Sequence, residues 1–192
     1  GPYVTEFEHR MATYCDAKHA VATVNGTAAL HIALLLAGVK PGEEVITQAV
    51  TFVATCNAIH YCGAEPVFVD IDSTSLGLSP TALATFLAEF AERRDDGVYN
   101  TRSGKRIAAC LPMHTFGHPC DMGALAKHCH DYDIPLIEDA AEALGSQWHG
   151  RQCGTFGTLG VLSFNGNKII TTGGGGMILT DDDALALQAR HL

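Results

Sequence analysis

The sequence predicts an α/β fold, with a mainly parallel sheet sandwiched by helices. Three observations predict it. Short apolar runs of four to six residues alternate with longer stretches of helical periodicity along the 192 residues, which is the pattern of parallel strands joined by crossover helices. A hydrophobic content of 47% against 17% charged residues supplies one substantial core, enough for one domain or the larger part of a bigger protein. Turn and helix-start signals, Asn25-Gly26 and Ser79-Pro80 among them, fall between the runs.

Taken in order, Val4 to Tyr14 has the periodicity of an amphipathic helix and Ala20 to Val24 reads as a short buried strand. Asn25-Gly26 makes a turn. Thr27 to Ala37, rich in Ala and Leu, is a helix stopped by Gly38 and Pro41-Gly42. Val45 to Thr47 is strand-like, Thr51 to Tyr61 helical, and Pro66 to Val69 strand-like again. Ser79 caps a helix that has Pro80 at its first position and runs through Leu83 to Phe90. The polar stretch Arg93 to Arg106 reads as an exposed loop. Ile107 to Leu111 is the next strand, Met122 to His130 a helix, and Pro135 to Glu138 a strand whose end carries Glu138-Asp139-Ala140-Ala141. An apolar strand from Leu159 to Phe164 then leads to Lys168 and the four-glycine turn Gly173 to Gly176. A strand from Met177 to Thr180 and a helix around Asp183 to His191 close the chain.

In sheets of this kind ligands collect at the carboxyl ends of the strands, where three groups of candidates fall together. Lys168 follows a buried strand, where desolvation favours a neutral, nucleophilic amine suited to Schiff-base chemistry. A surface lysine beside a flexible turn is the other reading. Gly26 lets the backbone approach a ligand closely, and a helix starting at Thr27 points N–H groups and its positive end at a phosphate. A plain helix cap would use the same residues. Asp139 suits the protonated nitrogen of a pyridine-type ring, or the cap of a following helix. Phe52 suits stacking on a flat ring, or the core.

These residues carry a resemblance. Asn25-Gly26-Thr27-Ala28-Ala29-Leu30, Thr51-Phe52-Val53-Ala54-Thr55, Glu138-Asp139-Ala140-Ala141-Glu142-Ala143 and Ser163-Phe164-Asn165-Gly166-Asn167-Lys168 resemble, in that order, the DegT family of pyridoxal-phosphate-dependent sugar aminotransferases. Phe164 to Gly176 and His114 to Pro119 look most like the branch that aminates UDP-linked 4-keto sugars on the way to legionaminic acid or bacillosamine. Asn25 and Glu142 stand where many members have Ser and Gln.

The resemblance implies the large domain of the aspartate-aminotransferase-like (type I) fold, with pyridoxal 5'-phosphate as cofactor. By similarity Lys168 forms the internal aldimine, Asp139 pairs with the ring nitrogen, and Phe52 and Ala141 cover the two ring faces. Thr27, Ala28 and Ser163 would hold the phosphate, Glu142 would lie near the ring hydroxyl, and Gly26 and Asn165 belong to the same cofactor site. The implied reaction moves an amino group from an amino acid, L-glutamate in most members, to a nucleotide-linked keto sugar in two ping-pong stages. Members continue into a smaller C-terminal domain and form homodimers whose partner completes each site. Residues 1–192 are therefore expected to be a cofactor-binding large domain that transfers amino groups poorly alone.

Other classes fit less well. The formal charge of −9, with 12 Lys and Arg and no basic cluster, argues against nucleic acid or an anionic membrane surface. The longest apolar runs, such as Ala28 to Val39, are too short and interrupted to span a bilayer. Seven scattered cysteines without a Cys-x-x-Cys suit reduced thiols in a cytoplasm. His128 and His130 sit at i and i+2, which do not share a helix face, so no metal site is expected. Gly154, Gly157 and Gly160 lack the strand-before, helix-after setting of a dinucleotide fingerprint.

Overall fold

Helix and strand alternate from the first helix to the fourth and strands dominate after it, in a chain that the computed structural model describes from residue 1 to residue 192. The first elements are α1 (Pro2–Cys15), β1 (His19–Thr23), α2 (Gly26–Leu36), β2 (Glu44–Gln48), α3 (Val53–Tyr61), β3 (Glu65–Val69) and α4 (Pro80–Phe90). They are followed by β4 (Ala91–Arg94), β5 (Gly97–Asn100), β6 (Arg106–Cys110), α5 (Met122–Asp131) and β7 (Ile137–Asp139). A small hairpin of β8 (Gln147–Trp148) and β9 (Arg151–Gln152) precedes β10 (Leu159–Ser163), β11 (Gly176–Thr180) and α6 (Asp183–Ala189). Ser79 caps α4 as its sequence predicts, its Oγ accepting the N–H of Ala82 at 3.2 Å.

The strands lie in the orders β1-β11-β10-β7 and β3-β2-β6-β5-β4. The two sets meet where β6 runs beside β7, through parallel bridges between Cys110 and Leu136 and between Met113 and Asp139. Pairings of β2 with β3, β2 with β6 and β7 with β10 are parallel. Strand β11 runs antiparallel to both β1 and β10. It can do so because the stretch after β10 holds a glycine turn and no helix, and a reversal needs no crossover.

Adjacent residues on a strand serve opposite faces. Val45 packs in the cluster with Leu30, Ala33 and Leu34 of α2, while its neighbour Ile46 packs with Leu83, Leu87, Met122 and Leu125 of α4 and α5. Val161 and Leu162 divide in the same way, Leu162 joining Met11, Cys15 and Met177 beneath α1. Each fully buried Leu, Ile or Val contributes roughly 1.5–3 kcal/mol of burial, so both helical layers are needed to hold the sheet.

Two stretches differ from their sequence patterns. Arg93 to Arg106 is a hairpin at a sheet edge, β4 pairing with β5 and β5 with β6. Its arginines lie over aromatic rings, Arg94 at 4.2 Å from the centroid of Tyr99 and Arg102 at 3.8 Å from that of Phe90, so a polar sequence still packs. Thr51 and Phe52 stand before α3, with extended backbone at Phe52.

Candidate functional site

A cavity of about 300 Å³ opens at the carboxyl ends of the central strands, lined among others by Gly26, Thr27, Phe52, Asp139, Ser163 and Lys168. Most of the residues singled out from the sequence meet there; Ala141 and Asn165 also line it.

Lys168 ends a turn after β10 that is closed by its own N–H donating to Asn165 O at 3.0 Å. Its side chain is 10% exposed, with Nζ 3.1 Å from Glu142 Oε1 and 5.4 Å from the centre of the Phe52 ring. Phe52 is half exposed and turned to the cavity, so its ring is available to a ligand rather than spent in the core. Asn165 Nδ2 donates to Asn167 Oδ1 at 3.1 Å, which steadies the same turn.

Asp139 ends β7 and is almost fully buried. Its Oδ2 accepts the Thr55 hydroxyl at 2.7 Å and its Oδ1 the N–H of Ala141 at 3.2 Å. The turn that follows is not a helix, so the alternative of a helix cap reduces to that one bond. Burial pushes the Asp139 carboxyl above its ordinary value, opposed by the bonds from Thr55 and Ala141 and by the charge of Lys168. No ion pair reaches it. A buried carboxylate without a cation is costly, and a ligand that brings a positive charge would relieve that cost.

The third corner is the start of α2 against the end of β10. A Cβ on Gly26 would come within 2.8 Å of Ser163 Cβ, so only glycine lets the helix approach Ser163 this closely. The Ser163 hydroxyl makes no hydrogen bond within the chain and lines the cavity. Asn25 caps α2, its Oδ1 accepting the N–H of Ala28 at 2.8 Å, the task a serine would perform there. Two expected residues do not line the cavity. The Ala28 N–H is taken by that cap, and its side chain faces a separate groove with Val21 and Ile32. Glu142 lies behind Lys168, where its Oε2 accepts the N–H of Phe116 at 3.1 Å.

Several contributors carry no local signal. Met113 lines the cavity, its Sδ receiving the Thr51 hydroxyl at 3.1 Å. On the far side of β7, Glu138 is fully buried and accepts the N–H groups of Gly154, Phe156 and Gly157. His114 Nδ1 accepts the N–H of Cys120 at 3.1 Å, so the ring proton sits on Nε2 and is donated to Glu138 Oε2 at 3.1 Å. This network fixes β7 and explains the glycine series: a Cβ on Gly157 would meet Leu136 O at 2.4 Å and one on Gly160 the backbone of Gly154.

The pieces fit a flat cofactor with a basic ring nitrogen, an amine-reactive carbon and an anionic arm. Residues 1–192 match the family model described as the DegT/DnrJ/EryC1/StrS aminotransferase family. The chain belongs to this family. A GDP-perosamine synthase of Caulobacter vibrioides is 41% identical over 192 residues, 100% of this chain and 47% of that protein. The spore coat polysaccharide biosynthesis protein SpsC of Bacillus subtilis is 38% identical over 192 residues, 100% of this chain and 45% of that protein. Among solved structures, DesI in the presence of its TDP-sugar product superposes with a TM-score of 0.85 at 36% identity, covering 100% of this chain and 44% of that one. The chain thus spans about half the length of the DegT relatives it matches. No helix is long and apolar enough to cross a membrane.

Proposed function

We propose that residues 1–192 form the cofactor-binding large domain of a pyridoxal-5'-phosphate-dependent aminotransferase acting on a nucleotide-linked keto sugar, with L-glutamate as amino donor. One observation carries the reading: an amine, Lys168, and a buried carboxylate without a cation, Asp139, face one cavity at the strand ends. Relatives named for GDP-perosamine and for a TDP-sugar product support the substrate class. The finer assignment to a UDP-linked 4-keto sugar rests on the resemblance of His114 to Pro119 and Phe164 to Gly176, and parallel assays with UDP-, GDP- and TDP-linked keto sugars test it. Seven free cysteines support a reducing cytoplasm.

When bound, the cofactor supplies an aldehyde carbon and a conjugated ring that draws electrons from the reacting carbon. Lys168 Nζ is the group that binds the aldehyde carbon and, once freed, moves the proton of the amino-bearing carbon. Asp139 holds the proton on the ring nitrogen. The first turn of α2 at Gly26 and Thr27, with the Ser163 hydroxyl, takes the phosphate, while Phe52 and Ala141 orient the ring. Glu142, which lies behind Lys168 rather than in the cavity, holds Lys168 Nζ at 3.1 Å in the cofactor-free chain.

Incubation with pyridoxal phosphate, reduction with borohydride and peptide mapping test the assignment. The cofactor mass is expected on Lys168 alone; a label on Lys127, or on no lysine, would refute it.

Val24, Phe52, Val53, Phe116, Ile169 and Ile170 are exposed apolar residues on the loops and helix ends that follow the strands, and catalysis needs a site closed to water. We therefore place a second subunit and further chain over this end. Turnover by residues 1–192 alone should be at least about a hundredfold below that of a complete relative, an effect of lost substrate positioning. Equal turnover with the same donor and acceptor would show that this chain is already sufficient.

A further inference from the structure

Two loops at the cavity come from different strands: Ala49 to Phe52 after β2, and Leu111 to Thr115 after β6. Each contributes a lining side chain, Phe52 from the first and Met113 from the second. The residue that joins them is Gln48, the last of β2, which is fully buried and does not line the cavity.

Its carboxamide meets both main-chain groups of Met113, Oε1 accepting the N–H at 3.1 Å and Nε2 donating to the carbonyl at 2.9 Å. Because an N–H must face an oxygen and a carbonyl an N–H, this pair fixes which way the amide points. The same Nε2 lies 3.1 Å from Val50 O and 3.1 Å from Thr115 Oγ1. The strands themselves do not make this link, since β2 pairs with β6 only as far as Ile46 and Cys110, with Leu111 N–H reaching back to Ile46 O. Beyond that point Gln48 continues the ladder with a side chain. The loops then grip each other through Met113 Sδ, which receives the Thr51 hydroxyl and, at 3.3 Å, the N–H of Phe52.

We infer that Gln48 is a positioning residue that sets the Phe52 and Met113 loops at the spacing a flat cofactor ring requires. The inference rests on reading the cavity as the cofactor site. Several hydrogen bonds in a buried setting act together, and a side chain that cannot both donate and accept breaks the set. Gln48→Met preserves length and volume and removes the set; Gln48→Glu keeps only the acceptor for Met113 N–H and turns an oxygen toward the Met113 carbonyl. Thr47→Val is the control, because Thr47 is equally buried one residue earlier and binds Leu111 O at 2.8 Å without touching either loop tip.

The test is amide hydrogen exchange on the cofactor-free chain, with pyridoxal phosphate affinity measured by spectroscopic titration. In both Gln48 variants exchange should rise about tenfold or more in peptides covering 49–53 and 111–117, the effect of losing one to two buried hydrogen bonds. Peptides from α5 and β10 should be unchanged, and cofactor affinity should fall by about tenfold, a similar loss of bonding. In Thr47→Val affinity should stay within about threefold, since a single bond is lost away from the loop tips. Uniformly raised exchange, or the same affinity loss in the Thr47 control, would reduce Gln48 to a core residue and overturn the inference. Failure of the unmodified chain to bind the cofactor would sink the reading of the cavity, while the exchange pattern would still decide whether Gln48 braces the loops.

Discussion

Lys168→Ala is expected to lower the glutamate half-reaction by at least about a thousandfold, the scale of losing a nucleophile and a proton carrier together, while the protein stays folded. The side chain belongs to none of the apolar clusters, and its turn is held by the backbone bond to Asn165. What is lost structurally is one ion pair to Glu142, whose other oxygen keeps the Phe116 N–H. Lys168→Arg separates charge from chemistry. A guanidinium can pair with Glu142 but cannot condense with an aldehyde, so it should be as inactive as the alanine variant and should carry no borohydride-fixed cofactor. Single-turnover absorbance with excess glutamate, alongside circular dichroism, reads both effects. Activity within tenfold of the unmodified chain in either variant would remove Lys168 from the chemistry.

The sequence was legible where local chemistry decides structure. Ser79-Pro80 starts a helix through its own cap and fixed φ, and Asn25-Gly26 ends a strand and opens the next helix within three residues. The cavity was legible for a related reason: Gly26, Phe52, Asp139 and Lys168 stand at strand ends, and the topology of an α/β sheet brings such ends together. What could not be read depends on partners distant in the chain. Thr55 and Asp139 are 84 residues apart, and nothing near either announces their bond. Gln48 looks like a polar residue leaving a strand, and only the fold makes it a buried link between loops. Ala28 shows the converse limit. Its place beside Gly26 and Thr27 suggests a phosphate ligand, but its N–H is used by Asn25 and its side chain points elsewhere. The Arg93 to Arg106 hairpin was hidden because its stabilising apolar surface belongs to arginine stems and aromatic rings rather than aliphatic residues.

Asp139→Asn should divide function from stability. With the carboxylate gone the ring nitrogen loses the anion that keeps it protonated, and the reaction should slow by roughly 10²–10³-fold, the scale for removing one preorganised electrostatic contact. Folding should not suffer, because an asparagine can keep its oxygen toward the Ala141 N–H and turn its amide toward Thr55 Oγ1, the two partners Asp139 has now. In the cofactor-free chain it should even gain. Burial raises the Asp139 carboxyl above its ordinary value, so the folded chain holds that proton more tightly than the unfolded one. The associated stability is complete below the ordinary carboxylate range and is lost as pH rises through the raised value. The amide imitates the protonated form at every pH. Without cofactor, Asp139→Asn should therefore melt as high as the unmodified chain in acid and higher above the raised value, by an amount of order a few degrees. Saturating pyridoxal phosphate should reverse the order, since only the carboxylate gains a cation when the ring arrives. Melting curves from acid to neutral pH, with and without cofactor, read all four conditions. A variant that melts lower without cofactor, or that keeps its rate, would make Asp139 a structural acid and take the ring nitrogen away from it.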